Sequence, residues 1–343
     1  MSTVDTDFSK FDRMIVDADW IVYACSHSGE KKTIKAVLKS TGEEFDLANR
    51  TALFGRRRSK DGGYLEELNK SRNTSYTWED FEIYDVQTPE ELPNVLHSAK
   101  MMVEGLRKTT GTKNVELYVG EGQSFRYDKA TLTEYKSNRI NALTPVYKQA
   151  VKDYLIKYHG AKVVTHLEVD DVVVMEGYKD PRILVVSVDK DSRGFPIYLF
   201  NPAHPEWGIL NCRGLGSLWW DTSGKTKKLR GIGRKWFYGQ ILVGDSVDSI
   251  KPNAASDMQF GEVGAYEALA NCENDLECFK AIKDIYQRMY PEPKKIKTWD
   301  GRVVEIDWVY VLDEMWELLR MKRFEGDDVT ASEVFRKYGL LED

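Results

Sequence analysis

Features that are typical of membrane proteins and of metal–thiolate proteins are missing from this sequence. It has no run of about 18 apolar residues, so it predicts no membrane-spanning helix. The opening residues lack the basic flank and the apolar stretch of a secretory signal, so the cysteines are expected to be reduced and the location cytoplasmic. No CxxC spacing occurs, which argues against a zinc site. The four cysteines are Cys25, Cys212, Cys272 and Cys278.

The sequence also lacks an overall positive charge. The formal net charge is -6, which taken alone argues against a nucleic-acid partner. The basic residues are clustered, however, because residues 223–235 carry six of them and no acid. Shorter basic runs lie at 54–60 and 293–297. Each run by itself is equally consistent with a solvated loop and with contact to phosphates.

Apolar segments of strand length alternate with helical segments through the first two thirds of the chain. This alternation predicts an α/β fold with a mostly parallel central sheet flanked by helices. Helix-start signals occur at Thr88–Pro89 and Thr144–Pro145, and Gly111 and Gly160 predict the helix ends. The predicted strands are 14–16, 115–119, 162–166, 183–188 and 197–200, and a further helix is expected over 169–178.

The chain of 343 residues has room for more than one domain. We predict an α/β core over residues 1–230, with an insertion at 29–85 that contains a β-hairpin and a polar, mobile stretch. Residues 231–343 are expected to be helical.

Acidic residues follow four of the predicted strands. Asp17, Glu121, Glu168 and Asp189 each come directly or almost directly after an apolar strand. In open parallel sheets, sites form outside the carboxyl ends of the strands, so these four side chains are expected to meet at one edge. A helix N-cap explains any one of them but is a poor explanation for all four.

Such a convergence of like charges requires a positive partner. The sequence shows no matching cluster of Lys, Arg or His among these acids, and carboxylate ligands select Mg²⁺ or Mn²⁺ over zinc. Nine carboxylates suit two ions about 4 Å apart, the arrangement used for in-line attack on phosphodiesters. Besides the four strand-end acids, the set contains Asp170, Asp171, Asp191, Asp245 and Asp248.

Five acidic and basic motifs occur in a characteristic order: IVDADW, EYKSNR, LEVDD, SVDKD and GDSVD. This order resembles the flap endonuclease, or 5′-nuclease, superfamily, in particular the 5′–3′ exonucleases of T-odd bacteriophages. The resemblance covers residues 13–25 and about 115–270. It implies a PIN-like core with a helical C-terminal part that contains a helix–turn–helix-type DNA-binding element. It also implies two metal sites, the first formed by Asp17, Glu121, Glu168, Asp170 and Asp171, the second by Asp189, Asp191, Asp245 and Asp248.

The resemblance extends to groups that contact the substrate. Lys136 and Arg139 match the basic residues that hold the scissile phosphate, and a helix would place them on one face. With Asp170, they are the expected catalytic residues. Tyr135 is expected to stack on a terminal base.

Two positions depart from the family pattern. Glu121 stands where the family usually has Asp, and Glu262 stands where the first glycine of a duplex-gripping turn is expected, although Gly264 matches the second glycine. Lys227 and Lys228, within the basic run, are expected to compensate by contacting the substrate. Asp19 is not at a ligand position, so we expect it to be a loop acid.

The activity implied by the resemblance is that of an Mg²⁺-dependent 5′–3′ exonuclease or flap endonuclease, with Mn²⁺ able to substitute. The expected substrates are 5′ ends, flaps and nicked duplexes of DNA, and RNA in RNA–DNA hybrids. The protein would act in DNA replication as a monomer, in the host cytoplasm if a bacteriophage encodes it.

Two other functions are consistent with parts of the sequence. A haloacid-dehalogenase-like phosphatase shares the DxD pattern of VDADW, but its single metal leaves Glu168, Asp170 and Asp171 unexplained. A DNA-end-binding protein on a decayed nuclease fold would explain the departures at Glu121 and Glu262. Decay normally removes acids first, and all nine positions are acidic.

Overall fold

The computed structural model describes residues 4–56, 62–112, 114–140 and 142–342. These residues divide into two compact units. The first unit comprises Met1–Trp20, Val103–Leu143 and Leu155–Asp343, and the second comprises Ile21–Met102 and Thr144–Tyr154. In the described residues, no helix is long and apolar enough to span a membrane.

The described residues form 13 strands and 12 helices. The strands are β1 (Arg13–Asp17), β2 (Glu30–Leu38), β3 (Glu43–Leu47), β4 (Phe81–Pro89), β5 (Val115–Ser124), β6 (Lys162–His166), β7 (Ile183–Val186), β8 (Tyr198–Phe200), β9 (Ile209–Asn211), β10 (Ser217–Asp221), β11 (Lys228–Ile232), β12 (Lys294–Lys297) and β13 (Val303–Ile306). The helices are α1 (Asp19–Ser28), α2 (Arg50–Phe54), α3 (Tyr64–Arg72), α4 (Leu92–Thr110), α5 (Arg126–Lys129), α6 (Lys148–His159), α7 (Val169–Lys179), α8 (Arg234–Val243), α9 (Glu262–Leu269), α10 (Asp275–Met289), α11 (Trp308–Leu319) and α12 (Ala331–Lys337).

The first unit is organised around a six-stranded sheet with the order β6-β5-β1-β7-β8-β9. The first five strands in this order run parallel, and β9 is antiparallel to β8. All four residues of β7 and all but the first of β1 are buried. Continuous apolar strands of this kind suit the centre of a parallel sheet that is covered on both faces. The predicted fold class is therefore confirmed.

Each predicted strand is present, and the helix predicted over 169–178 is α7. The two helix-start predictions are wrong. Thr88 and Pro89 belong to β4, where they pair with β2, and α6 begins after Thr144–Pro145, at Lys148. At Thr88–Pro89, pairing with the distant strand β2 has outweighed the local capping signal. The predicted ends are confirmed, since Gly111 and Gly160 follow α4 and α6 with a φ of 67° each.

The second unit contains a three-stranded antiparallel sheet with the order β3-β2-β4. The predicted hairpin is its β2–β3 pair. One face of this sheet packs into a small core that includes Ile34, Leu38, Phe45 and Phe81. The polar stretch that follows β3, predicted to be mobile, forms α2 and α3. Residues 57–61 of that stretch, which include most of the basic run at 54–60, lie outside the described residues.

Residues 231–343 are mainly helical, with α8 to α12 and the β12–β13 hairpin. Phe237 of α8 and Trp316 of α11 pack edge to face, with ring centroids 5.0 Å apart. Both belong to the hydrophobic cluster that also contains Ile15 of β1 and Val185 of β7. The helical region therefore buries its apolar side chains in the same core as the sheet.

Candidate active site

Two neighbouring parallel strands bring carboxylates to the same edge of the central sheet. Asp17 is the last residue of β1, and Asp189 follows β7, which pairs with β1. The carboxylate of Asp17 accepts hydrogen bonds from the amide of Asp19 at 3.0 Å and from the hydroxyl of Ser187 at 3.3 Å. The same hydroxyl accepts the amide of Asp189 at 3.0 Å. Ser187 therefore connects two acids that are far apart in the sequence.

A third carboxylate reaches this edge from the first turn of α7. This helix follows β6 and packs against β1 and β7, so its N-terminus lies near the ends of those strands. Asp170 lies in that turn, and its Oδ1 is buried with no hydrogen-bond partner in the described part of the chain. A buried polar atom without a partner is costly, and its presence in a folded protein suggests a missing ligand.

Asp17, Asp170 and Asp189 are electrostatically coupled. Burial, together with the charges of Asp19 and Asp189, raises the pKa of Asp17 to about 8. Burial, followed by the charges of Asp17 and Asp189, raises the pKa of Asp170 well above its usual range. No cation of the described residues is among the groups that act most strongly on Asp17 or Asp170. Within the described residues, Asp17 and Asp170 are therefore the acids of the site that lack a close positive partner.

Lys190 binds two acids of the second predicted metal site. Its Nζ lies 2.9 Å from Asp191 Oδ1 and 2.5 Å from Asp245 Oδ2. Gln240 donates to the same Asp191 oxygen at 2.5 Å. Even so, burial and the charge of Asp189 raise the pKa of Asp191 to about 8. Sequence reasoning missed this lysine, although its position inside the VDKD motif could have revealed it.

Asp171 has a different environment from Asp170. It is fully buried, and its two oxygens accept a two-point ion pair from Arg126 at 2.6 and 2.9 Å. The amides of Glu168 and Lys322 donate to the same carboxylate at 3.2 and 3.1 Å. With its oxygens occupied in this way, Asp171 is placed to support the fold and the first turn of α7. The structure thus does not group Asp171 with Asp17, Asp170 and Asp189, and its expected metal-binding role stays a prediction.

Lys136 and Arg139 both reach acids of the expected metal set. Lys136 Nζ lies 2.6 Å from Glu168 Oε1, and Arg139 Nη2 lies 2.5 Å from Asp248 Oδ1. Burial acts to raise the pKa of Glu168, but Arg126 and Lys136 outweigh it and lower this pKa to about 2. Burial raises the pKa of Asp248 despite Lys136 and Arg139. The structure therefore brings the two expected cations, Lys136 and Arg139, next to these acids and adds Arg126, which the sequence did not suggest.

Tyr135 is placed differently from the expectation. It is only 3% exposed, and its ring is covered by Tyr127 and by the Lys136 ammonium. Its hydroxyl contacts Glu168 Oε1 at 3.0 Å and Asp248 Oδ2 at 3.1 Å. The ring is not accessible for stacking on a base, so the residue holds two carboxylates instead.

The basic segment is also not the helix that the sequence suggested. Lys136 has a left-handed backbone with a φ of 54°, and only a short 3₁₀ turn, Ser137–Arg139, follows it. The amide of Lys136 donates to the carbonyl of Asp248 at 2.9 Å. This bond fixes the segment against the GDSVD motif, so both cations reach their acids without a helix.

Glu121 and Asp19 are each placed differently from the expectation. Glu121 is exposed within β5, which continues to Ser124 instead of ending at Val119, and it is not among the strongest influences on Asp17 or Asp170. Asp19 lies beside Asp17 and accepts the amide of Gly120 at 3.0 Å. A Cβ on that glycine would lie 3.0 Å from Asp19 Oδ2, so glycine permits the close approach. Asp19, expected to be a loop acid, therefore belongs to the acidic edge, which is the edge of the sheet where Asp17, Asp170 and Asp189 lie.

The residues expected to grip duplex DNA lie around α9 and the β10–β11 hairpin. Glu262 Oε2 accepts the amide of Leu229 at 2.9 Å, which ties the start of α9 to β11. A Cβ on Gly264 would lie 2.7 Å from the ring of Phe260, so packing already requires a glycine there. Lys227 and Lys228 are exposed near the tip of the hairpin.

The acidic edge fits a hard divalent cation by its chemistry. The donors are carboxylate oxygens, one of them buried without a partner, and several repel one another. Hard ions such as Mg²⁺ prefer such donors. In the described residues, no three side chains of His, Cys, Asp or Glu already converge as a ligand set.

Comparison with known proteins gives structural neighbours only. No protein-family model and no curated protein sequence matches the chain. The chain is similar to a bacteriophage T5 protein co-crystallised with metal ions, with 16% identity and a TM-score of 0.37 over 65% of this chain and 79% of that chain. It is similar to the T5 flap endonuclease in a pseudo-enzyme–product complex with DNA and metal ions (15% identity, TM-score 0.39, 66% of this chain and 80% of that chain). A mutant T5 5′-exonuclease gives 16% identity and a TM-score of 0.38, over 65% and 78% of the two chains. We therefore base the proposed function on the residues of the site.

Proposed function

We propose that this protein is a divalent-metal-dependent nuclease that hydrolyses phosphodiester bonds of DNA at 5′ ends or flaps. The observation that carries the proposal is the group formed by Asp17, Asp170 and Asp189 at the carboxyl edge of the sheet. Burial, together with the charges of neighbouring acids, raises the pKa of Asp17 and Asp170. A folded protein tolerates such a cost where a cation is to be bound.

We assign the metal-holding role to Asp170 and to the acids whose charges act most strongly on it. Besides the three aspartates, these are Glu168 and Asp191, which both act on Asp170. When bound by these residues, two divalent ions would supply a water nucleophile that is active at neutral pH and charge that stabilises the leaving oxygen. Asp245, bound to Lys190, and Asp248, bound to Arg139, border the group.

Lys136 and Arg139 provide the groups that would bind the scissile phosphate. The planar guanidinium of an arginine matches two phosphate oxygens at once, whereas a lysine acts as a point charge. In the free protein the two cations are neutralised by Glu168 and Asp248. A phosphate bound between these two cations and the acidic edge would replace Glu168 and Asp248 as their anionic partner. The positive charges of Lys136 and Arg139 would therefore stay neutralised throughout binding.

The preference for DNA and for 5′ ends is supported by the order of the five sequence motifs. The exposed Lys227 and Lys228 support contact with a polyanion. A phosphodiester is also consistent with the layout of the site, because Lys136 binds Glu168, one of the acids that act on Asp170.

The test uses DNA duplexes, 5′ flaps and RNA–DNA hybrids labelled at either end, incubated with Mg²⁺, with Mn²⁺ or with EDTA. We expect shortening from the 5′ end that EDTA abolishes. Asp170→Asn should reduce the rate by at least about a hundred-fold, since the charge stabilisation provided by a metal ion is worth several kcal/mol. Asp284→Asn is the matched control, because Asp284 is an exposed acid of α10 that pairs with Arg288.

The same experiment separates the alternatives. A phosphatase of the haloacid-dehalogenase type would release phosphate from p-nitrophenyl phosphate and would retain activity in Asp170→Asn. A DNA-end-binding protein would bind the labelled DNA in EDTA and leave it intact in Mg²⁺ and in Mn²⁺. Either result would contradict the proposed nuclease.

A further inference from the structure

An aromatic cleft opens beside the candidate active site. It has a volume of 540 Å³, within the range of sites for small organic ligands, and it shares Tyr135, Lys136 and Arg139 with that site. These are the side chains that contact Glu168 and Asp248. A ligand in the cleft therefore lies next to the groups that would bind the scissile phosphate.

Trp299 forms an exposed wall of this cleft. It stands at the tip of the hairpin between β12 and β13 and is 45% exposed. Its indole Nε1 donates to the carbonyl of Ala130 at 2.8 Å, and its amide donates to the carbonyl of Thr131 at 3.3 Å. These two bonds fix the position of the indole, although nearly half of the residue is open to solvent. A large aromatic surface held in this way suits stacking on a planar ring.

The charges that line the cleft are balanced. Its acids are offset by an equal number of cations, so the lining does not select for an anion as a whole. The three acids are Asp128, Glu134 and Asp300, and the three cations are Lys136, Arg139 and Arg302. Arg302 and Asp300 are paired with each other at 2.6 Å. The lining therefore favours an uncharged planar group, with any phosphate located at the Lys136–Arg139 end.

We propose that this cleft binds one unpaired nucleobase of the strand that is cut, with the base stacked on Trp299. The inference rests on the proposed function, because continuity with the phosphate-binding residues identifies the ligand as part of the substrate strand. Tyr135 cannot take this role, since its ring is covered, whereas Trp299 offers an exposed ring in the same cleft. Stacking on an aromatic side chain accepts any base, so the cleft would recognise a single-stranded nucleotide without sequence preference.

The test measures binding in EDTA, so that it does not depend on cleavage. The probes are fluorescently labelled DNA duplexes with a single-stranded 5′ thymidine tail, and a matched series in which one nucleotide at a time near the junction lacks its base. In the wild-type protein, loss of the base at one position should weaken binding on the order of ten-fold, as measured by fluorescence anisotropy. Trp299→Ala should weaken binding of the intact probe by a similar factor and remove the further effect of the missing base.

Two variants and one stability measurement control for folding. Trp299→Phe keeps an aromatic ring and should bind within a few-fold of wild type, with the sensitivity to the missing base retained. Trp78→Ala removes a tryptophan that is 67% exposed and lies outside the cleft, and it should bind like wild type. Thermal melting of each variant shows whether it is folded.

The outcomes for the cleft and for the nuclease are distinct. Binding that is indifferent to the missing base at every position, or a base effect that persists in Trp299→Ala, would overturn the cleft inference while cleavage in Mg²⁺ stayed intact. Base-dependent binding through Trp299 without any cleavage would support the cleft and overturn the proposed nuclease.

Discussion

Arg126 and Asp171 form a buried two-point ion pair directly behind the acidic edge. The guanidinium nitrogens lie 2.6 and 2.9 Å from the two carboxylate oxygens, and both side chains are almost fully buried. Arg126 also donates to the carbonyls of Leu318 and Arg320 at 2.8 and 3.1 Å. The pair therefore connects the first turn of α7 to the end of α11. The LEVDD motif thus contains acids of two kinds, one kind engaged by a cation and the other not.

Replacing Asp171 should therefore damage the fold more than the metal site. Asp171→Asn removes the two-point anionic partner of the buried Arg126, and breaking a buried pair in this way typically costs about 3–5 kcal/mol. We expect a large drop in the melting temperature in EDTA, measured by circular dichroism. Arg126→Met together with Asp171→Leu removes both charges and should recover part of the loss. An Asp171→Asn protein as stable as wild type would contradict the structural role.

Replacing Asp170 should have the opposite effect on stability. Its carboxylate is buried among other acids, and its pKa is raised, so the ionised form opposes folding at neutral pH. Asp170→Asn keeps the shape and removes the charge, so the melting temperature in EDTA should rise. The stabilisation by Mg²⁺ should decrease in the same variant. Asp284→Asn again serves as the control, and a lower melting temperature for Asp170→Asn in EDTA would contradict the repulsion inferred here.

These two adjacent positions show how far the sequence could predict the site. The spacing of acids after apolar strands located the edge, because parallel strands end on one side of a sheet, and it placed Asp17, Glu168 and Asp189 there. The sequence did not distinguish Asp170 from Asp171. Their difference depends on Arg126, which comes from a segment distant in the chain and is marked by no spacing pattern. Trp299 likewise reaches the site through a hairpin that no motif identifies.

The same dependence on contacts between distant segments explains why the helix start predicted at Thr88–Pro89 is wrong. A capping box is a local signal, and Thr88 together with Glu91 satisfies it. The structure instead uses Thr88 and Pro89 in β4, where they extend a nine-residue pairing with β2. Local chemistry predicted both helix ends correctly, since a glycine with a positive φ at Gly111 and Gly160 terminates a helix wherever the helix begins.

The stability of the metal-free protein should fall as the pH rises. Asp17 and Asp191 have a folded pKa of about 8, above an unfolded value of about 3.9, so the folded state binds the extra protons. Their contribution to stability is present in full below about pH 4 and is lost as the pH rises through about 8. We expect the melting temperature in EDTA to decrease between pH 5 and pH 8, as measured by calorimetry.

Divalent ions should reverse this trend, because they replace the protons at the carboxylates. At a Mg²⁺ concentration about 100 times the dissociation constant, binding stabilises the folded state by about 2.7 kcal/mol. The melting temperature should then be nearly constant or rise between pH 5 and pH 8. Equal pH slopes with Mg²⁺ and with EDTA would show that no ion binds at these acids.

Lys136 should matter for the rate more than for metal binding. Its ammonium is placed at Glu168, where it would meet the scissile phosphate, and loss of one such electrostatic contact typically costs about 10²–10³-fold in rate. Lys136→Ala also frees the Glu168 carboxylate, so affinity for Mg²⁺, measured by calorimetry, should stay the same or increase. Lys162→Ala is the matched control, since Lys162 of β6 pairs with Glu116 of the neighbouring strand β5. A parallel loss of metal affinity and activity in Lys136→Ala would assign the residue to the metal site instead.

Lys227 and Lys228 should contribute to substrate affinity in a salt-dependent manner. Both are exposed on the β10–β11 hairpin, and Lys227 lies 4.5 Å above the ring of Trp220, within a basic run that contains no acid over residues 223–235. Affinity falls as salt concentration rises, and each phosphate contact that is lost reduces the steepness of log affinity against log salt concentration by about one. Lys227→Ala with Lys228→Ala should therefore weaken DNA binding at low salt, reduce that slope by about two, and leave the effect of a missing base at the Trp299 cleft unchanged. Substitution of two exposed lysines of the second unit, Lys31→Ala with Lys39→Ala, provides the control for a general loss of charge. An unchanged slope in the hairpin variant would place the DNA elsewhere on the molecule.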